Sequence, residues 1–240
     1  MTKIIAMWSG PRNLSTAMMR SFGARNDCNV MDEPFYAAYL HATGLKHPLY
    51  QEIIDDGLID PADVVAHCLG ADDKPISYQK HMCHHMIDGF PLDWLDQVTN
   101  VFLLREPARV LASYAAKVET VSAIDIGFPQ QRALMDRVIK GGGTPIVVEA
   151  ADIRRDPQKM LEALCSEVGI SFDPAMLSWA AGERDEDGVW AKHWYDAVWK
   201  STGFAPAEVS PLPSLPDNLA VIENEVMPDY EFMRSHCLSA

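Results

Sequence analysis

Apolar residues recur along this chain in two alternating rhythms: short unbroken runs, and longer stretches in which they return every three or four positions. Ile4 to Trp8, Asn29 to Met31, Ile76 to Lys80, Val101 to Leu104 and Pro145 to Val148 are the short runs. Most are too apolar for strands with one face in water, and they predict parallel strands buried on both faces. Leu14 to Arg25, Pro61 to Leu69, Pro107 to Val118, Phe128 to Ile139 and Pro157 to Val168 carry helical spacing, with an apolar stripe down one side. Asp156 ahead of Pro157 is a capping side chain followed by proline at the first helical position. Strand and helix in alternation predict an α/β fold with a doubly wound, mostly parallel sheet of five strands and helices on both faces. Such sheets bind ligands beyond the carboxyl ends of their strands, so the residues just after each strand are the places to look for chemistry.

The 240 residues, 48% of them hydrophobic and 22% charged, suit an ordinary globular protein and are read as one domain, 1–240. Ala205 to Pro216, with Pro206, Pro211, Pro213 and Pro216, reads as an extended surface segment leading to a short helical tail. A formal net charge of −14 argues against nucleic acid or anionic membrane as partner, since both demand neutralisation of many phosphates. It leaves room for a small anion held by a few arginines and helix N-termini. The five cysteines are scattered without CxxC spacing, which reads as free thiols in a reducing compartment, the cytoplasm by default. The opening MTKIIAMWSGPRN lacks the apolar stretch of a leader, and no later run has the length of a membrane span. Nothing in the pattern sets the oligomeric state.

Ser9 to Thr16, SGPRNLST, joins the first strand to the first helix. A tight strand-to-helix turn aims backbone N–H groups and a positive helix end at one spot, with Arg12 adding charge and Ser15 and Thr16 adding hydroxyls. By itself the segment is equally a capped turn with an exposed arginine. It lacks the GxxxxGK(S/T) spacing of nucleoside triphosphatases. After the fourth strand come Arg105, at a strand end, and Ser113, two turns into the next helix. Together they can converge on a second anion, the arginine as a fork and the serine as a donor. Two such sites on one sheet edge suggest a nucleotide bisphosphate.

Here the chain resembles the sulfotransferases that use 3′-phosphoadenosine 5′-phosphosulfate. Pro11-Arg12-Asn13-Leu14-Ser15-Thr16 is similar to their Pro-Lys/Arg-Ser-Gly-Thr-Ser/Thr loop, and Arg105 to Ser113 is similar to their Arg-x7-Ser. The resemblance implies a three-layer, P-loop-type domain in which Arg12, Ser15 and Thr16, with Asn13 and Leu14 in the same loop, hold the 5′-phosphosulfate. It implies that Arg105 and Ser113 hold the 3′-phosphate. Arg184 and Gly188-Val189-Trp190 look like the family's Arg-Lys-Gly-x-x-Gly-x-Trp stretch over the adenosine, without its Lys-Gly pair. Leu14 departs from the family by standing where a glycine lets the backbone approach the ligand.

Sulfuryl transfer needs a base for the acceptor hydroxyl or amine and groups that absorb charge on the leaving phosphate; no metal is required. Asp32-Glu33-Pro34 resembles the Glu-Pro segment of carbohydrate-type members, which makes Glu33 the first candidate base. Lys80 matches the lysine of the Lys-Thr-His segment found in many cytosolic members, while Met82 stands at the histidine's place. His84 is the second candidate base, on the Lys80 face if extended structure continues. Continued alternation would put His81, Cys83 and His85 on the other face, which breaks up a metal-ligand set. The resemblance thus implies a PAPS-dependent enzyme acting on a small-molecule acceptor, with Arg12 and Lys80 stabilising the transferred or leaving group. Two rivals remain. One is a P-loop kinase-like phosphotransferase, for which Asp32 is the plausible metal carboxylate. The other is a non-catalytic nucleotide-binding module, which Leu14 and Met82 favour.

Overall fold

The apolar runs form strands because each is covered on both sides. In the computed structural model, which describes residues 2–70 and 72–239, β1 (Lys3–Ser9), β2 (Cys28–Asp32), β3 (Ile76–Met82), β4 (Thr99–Leu104) and β5 (Ile146–Glu149) make one sheet. Its order is β2-β3-β1-β4-β5 and every pairing is parallel. Side chains alternate between two buried layers. Ile5, Met7, Tyr78, Val101, Leu103 and Val148 face one core, and Ala6, Trp8, Phe102, Leu104 and Val147 face the other. Each fully buried aliphatic or aromatic side chain contributes roughly 1.5–3 kcal/mol, which explains why these runs hold no half-exposed register.

The helices are α1 (Ser15–Gly23), α2 (Tyr36–Thr43), α3 (Tyr50–Asp56), α4 (Pro61–Cys68), α5 (Pro107–Ala115) and α6 (Ala123–Ile126). They continue as α7 (Phe128–Lys140), α8 (Ala150–Arg155), α9 (Pro157–Val168), α10 (Ala191–Trp194), α11 (Asp196–Trp199) and α12 (Asp217–Arg234). Met18, Met19 and Phe22 of α1 and Leu161 and Leu164 of α9 cover the first face. Leu134, Met135 and Val138 of α7, with Val226, Tyr230 and Met233 of α12, cover the second. This is the three-layer α/β arrangement that the alternation predicted.

The tail helix, expected to be short, runs to 18 residues. It is long because it packs against α5 and α7 and closes the second core. Residues 205–216 carry neither helix nor strand. Among the described residues no helix is long and apolar enough to cross a membrane.

Register places the chemistry. Ser9 pairs with Met82 on one side and Leu103 on the other, Asp32 pairs with Lys80, and Leu104 with Glu149. The carboxyl ends of the strands therefore finish at one edge. From the central β1 the chain goes out to the edge strand β2, returns to β3 beside β1, and then crosses to β4 and β5 on the other side, so the loop after β1 sits where the direction of winding changes, where such sheets open a crevice.

Candidate functional site

The loop after β1 is built from strained backbone. Arg12 has φ 60° and Leu14 has φ 62°, a left-handed conformation costing a residue with a Cβ about 1–2 kcal/mol. Leu14 adopts the geometry a glycine would take freely, and its side chain packs against the first core. Asn13, buried at 3% exposure, anchors the turn by donating from Nδ2 to the Leu103 carbonyl at 2.7 Å. Gly10 is obligatory here, since a Cβ would lie 2.2 Å from the Ile126 carbonyl oxygen. Leu14 is the N-cap of α1 and offers no side-chain acceptor, so the first-turn N–H groups are not capped from that position.

A cavity of about 330 Å³ opens above this loop, and Pro11 to Ala17 form one wall. Four non-glycine residues among those described have positive φ, and Arg12, Leu14 and Glu33 are three of them lining this cavity.

The two sequence motifs meet here. Arg12 Nε donates to Ser113 Oγ at 2.9 Å across 101 residues of chain. Arg105 Nη1 donates to the Arg12 carbonyl at 2.6 Å. The other arm of Arg105 is engaged by a residue that sequence reasoning missed: Nη2 donates to Glu208 Oε1 at 2.5 Å. Arg154 also donates to that oxygen, and Arg109 Nε lies 3.2 Å from Glu208 Oε2. No local spacing advertised this cluster, although Arg109 is one helical turn beyond Arg105.

The opposite wall holds a buried ionic group. Lys80 Nζ donates to Asp32 Oδ1 at 2.9 Å, to Glu33 Oε1 and to Tyr195 OH at 2.7 Å. The Tyr195 hydroxyl also lies 2.7 Å from Asp32 Oδ2. Burial alone would lower the Lys80 pKa, but the Asp32 and Glu33 carboxylates hold it well above the ordinary lysine value. Burial pushes the Glu33 carboxyl up, with Lys80 opposing. Glu33, φ 41°, precedes Pro34, so a third strained residue lines the cavity. Tyr195 was missed because its contacts with Asp32 span 163 residues.

His84 does not sit on a continued strand. β3 stops at Met82 and Cys83–His85 form a 3-10 turn, which breaks the two-residue alternation. His81 stacks on Trp8 at 4.4 Å, while His84 and His85 both line the cavity, correcting the expectation that His85 shares the His81 face. Burial, aided by His47, lowers the His84 pKa to about 4. Its Nδ1 is buried without a partner, so a neutral ring nitrogen is available. His85 stacks on Tyr36 at 4.5 Å. Among the described residues no group of three or more His, Cys, Asp or Glu is arranged to hold a metal ion.

The third expected segment lies apart from the cavity wall. Trp190 is 7% exposed and packs edge-on against Tyr36 within the first core. Gly188 makes room for that indole, which a Cβ would meet at 2.1 Å, and its N–H donates to Asp32 Oδ2 at 3.3 Å. Arg184 is exposed, donating to the Ala180 carbonyl at 3.2 Å. None of the three lines the cavity; Trp194 and Tyr195 do, four and five positions further on.

A family model described as Sulfotransferase domain matches residues 2–237. Among curated proteins, Arabidopsis thaliana branched-chain-amino-acid aminotransferase-like protein 1 is 34% identical over 235 residues, covering 98% of this chain and 42% of its own length. The like-named protein 2 is 32% identical over the same coverage. The chain thus spans about two fifths of the length of these relatives, matching 42% of each. Among solved structures, a sulfotransferase from Alicyclobacillus acidocaldarius superimposes with TM-score 0.56 at 11% identity, over 98% of this chain and 95% of that one. Mouse sulfotransferase SULT7A1 complexed with PAP gives TM-score 0.55 at 12% identity, over 98% and 89%. At such identities the likeness is one of fold.

Proposed function

This chain belongs to the sulfotransferase domain family, and we propose that it transfers a sulfuryl group from 3′-phosphoadenosine 5′-phosphosulfate to a hydroxyl or amine of a small acceptor. The observation that carries this reading is the meeting of Arg12 and Ser113 at 2.9 Å, which joins two motifs into one wall of the cavity. The residues fit such a donor. The N-cap of α1 gives its first-turn N–H groups no side-chain acceptor, and a carboxylate lies among three arginines beside Arg12. Both are the surroundings an anion selects.

The donor brings an activated sulfuryl group with a nucleotide bisphosphate as its leaving group. In this reading Arg12, Ser15, Thr16 and the N-terminus of α1 hold the 5′ end and absorb negative charge there. Asn13 and Leu14 serve by shape, since Asn13 is tied to β4 and Leu14 sets the turn. Arg105 and Ser113 take the 3′-phosphate. Glu33 accepts the acceptor's proton, and its burial suits it by making the carboxylate a stronger base. Lys80 fixes the Glu33 carboxylate and keeps positive charge beside the transferred group. His84, neutral and unpartnered at Nδ1, is the alternative proton acceptor. Tyr36, Tyr114 and Trp194 line the cavity beyond Glu33 and form the acceptor side.

Arg105→Ala tests the assignment by calorimetry with adenosine 3′,5′-bisphosphate and adenosine 5′-phosphosulfate, which lacks the 3′-phosphate. The expected result is a much larger loss for the bisphosphate, on the order of 10-fold or more, for a charge-assisted fork. Equal losses for both ligands contradict it.

A further inference from the structure

Glu208 stands in the segment 205–216, which has no secondary structure of its own and yet is fastened at its middle. Arg109 Nη2 donates to the Ser210 carbonyl at 2.6 Å, and Arg154 Nε donates to the Pro206 carbonyl at 3.0 Å. The carboxylate itself accepts from Arg105 and Arg154 and pairs with Arg109. All four side chains are largely buried, at 16–22% exposure. Three guanidinium groups face one carboxylate, which leaves surplus positive charge at this spot in a chain of net charge −14. A phosphate monoester carries roughly −1.5 to −2 and three acceptor oxygens, a better match to three arginines than one carboxylate. The segment is proline-rich and stiff, and it leads directly into α12 at Asp217.

We propose that Glu208 is an internal occupant of the 3′-phosphate site: its carboxylate fills the anion position formed by Arg105, Arg109 and Arg154, and a ligand bearing a 3′-phosphate displaces it and releases the 205–216 strap. Arg109 and Arg154 thereby join the site. This rests on the donor reading above. Ligands without a 3′-phosphate have nothing to exchange for Glu208 and leave the strap seated. The strap thus makes binding selective by a competition that a 5′-mononucleotide cannot win. Ser113 is engaged in the same state by Arg12, so both sequence-predicted partners of the 3′-phosphate hold internal contacts.

The experiment is calorimetry of the wild-type chain and Glu208→Gln with adenosine 3′,5′-bisphosphate and with adenosine 5′-monophosphate, together with limited proteolysis of the 205–216 strap. Glu208→Gln is expected to raise bisphosphate affinity about tenfold and leave the monophosphate unchanged. Bisphosphate is expected to speed cleavage within the wild-type strap, while in the variant cleavage is fast without ligand. Adding Arg154→Gln to the variant is expected to remove the gain. A wild-type preference for the bisphosphate with no gain in Glu208→Gln overturns the strap proposal and leaves the donor reading standing. Equal gain for both ligands overturns it also. If neither protein prefers the bisphosphate, the donor reading falls and the strap proposal with it.

Discussion

Replacing Lys80 by methionine removes the one cation inside the Asp32–Glu33–Tyr195 group while keeping the unbranched stem. The Lys80 and Asp32 side chains are each 1% exposed and Glu33 is 11% exposed, so water cannot take the lysine's place. Removing one partner of a buried pair costs about 3–5 kcal/mol, and here one cation serves two carboxylates. The Tyr195 hydroxyl, 2.7 Å from Asp32 Oδ2, softens the loss without neutralising it. In the variant a carboxyl of this pair is driven to keep its proton, so its folded pKa rises above the unfolded value of about 4. A raised folded pKa gives stability that is fully present below the unfolded pKa and is lost as pH rises through the folded one. The deficit against wild type should therefore grow with pH, by up to roughly 1.4 kcal/mol per unit for one proton. Urea unfolding followed by tryptophan fluorescence at about pH 5, 6.5 and 8 measures it. A deficit under about 1 kcal/mol at the highest pH, or one that is flat with pH, refutes the picture of a buried, charge-compensated group.

Glu33→Gln should leave bisphosphate binding unchanged and slow sulfuryl transfer from labelled donor to small alcohols or amines by ~10²–10⁴. Retained transfer, with the loss appearing in His84→Ala instead, would move the proton acceptor to His84. At Leu14, alanine and glycine both delete the side chain that packs on the first core, but only alanine keeps the left-handed penalty at φ 62°. Thermal unfolding should find Leu14→Gly more stable than Leu14→Ala by about 1 kcal/mol, and the reverse order would show that the loop is not held in that conformation.

The sheet was legible because burial on both faces writes a strand as an unbroken apolar run; Val101 to Leu104 and Ile4 to Trp8 lie inside β4 and β1. α2 was missed because the same all-round burial erases a helix's period. Tyr36, Ala37, Ala38, Tyr39 and Leu40 are all buried, so the helix has no polar side to mark a period. Of the site, the loop and the Arg105–Ser113 pair were legible through spacing, and the anomaly at Leu14 was visible as a missing glycine. Tyr195, Glu208 and Arg154 were not, because they reach Asp32 and Arg105 only through the folded chain. The Arg105 to Glu208 contact spans 103 residues. His84 was placed in the cavity by a 3-10 turn that strand alternation could not foresee.

In the proposed function, the wall where Arg12 and Ser113 meet recognises a nucleotide carrying both a 5′ and a 3′ phosphate group. Calorimetric titration of the wild-type chain with adenosine 3′,5′-bisphosphate, and with ATP in the presence and absence of Mg²⁺, tests it most directly. The expected result is metal-independent binding of the bisphosphate, tighter than ATP by at least about tenfold. Preference for Mg-ATP would contradict it.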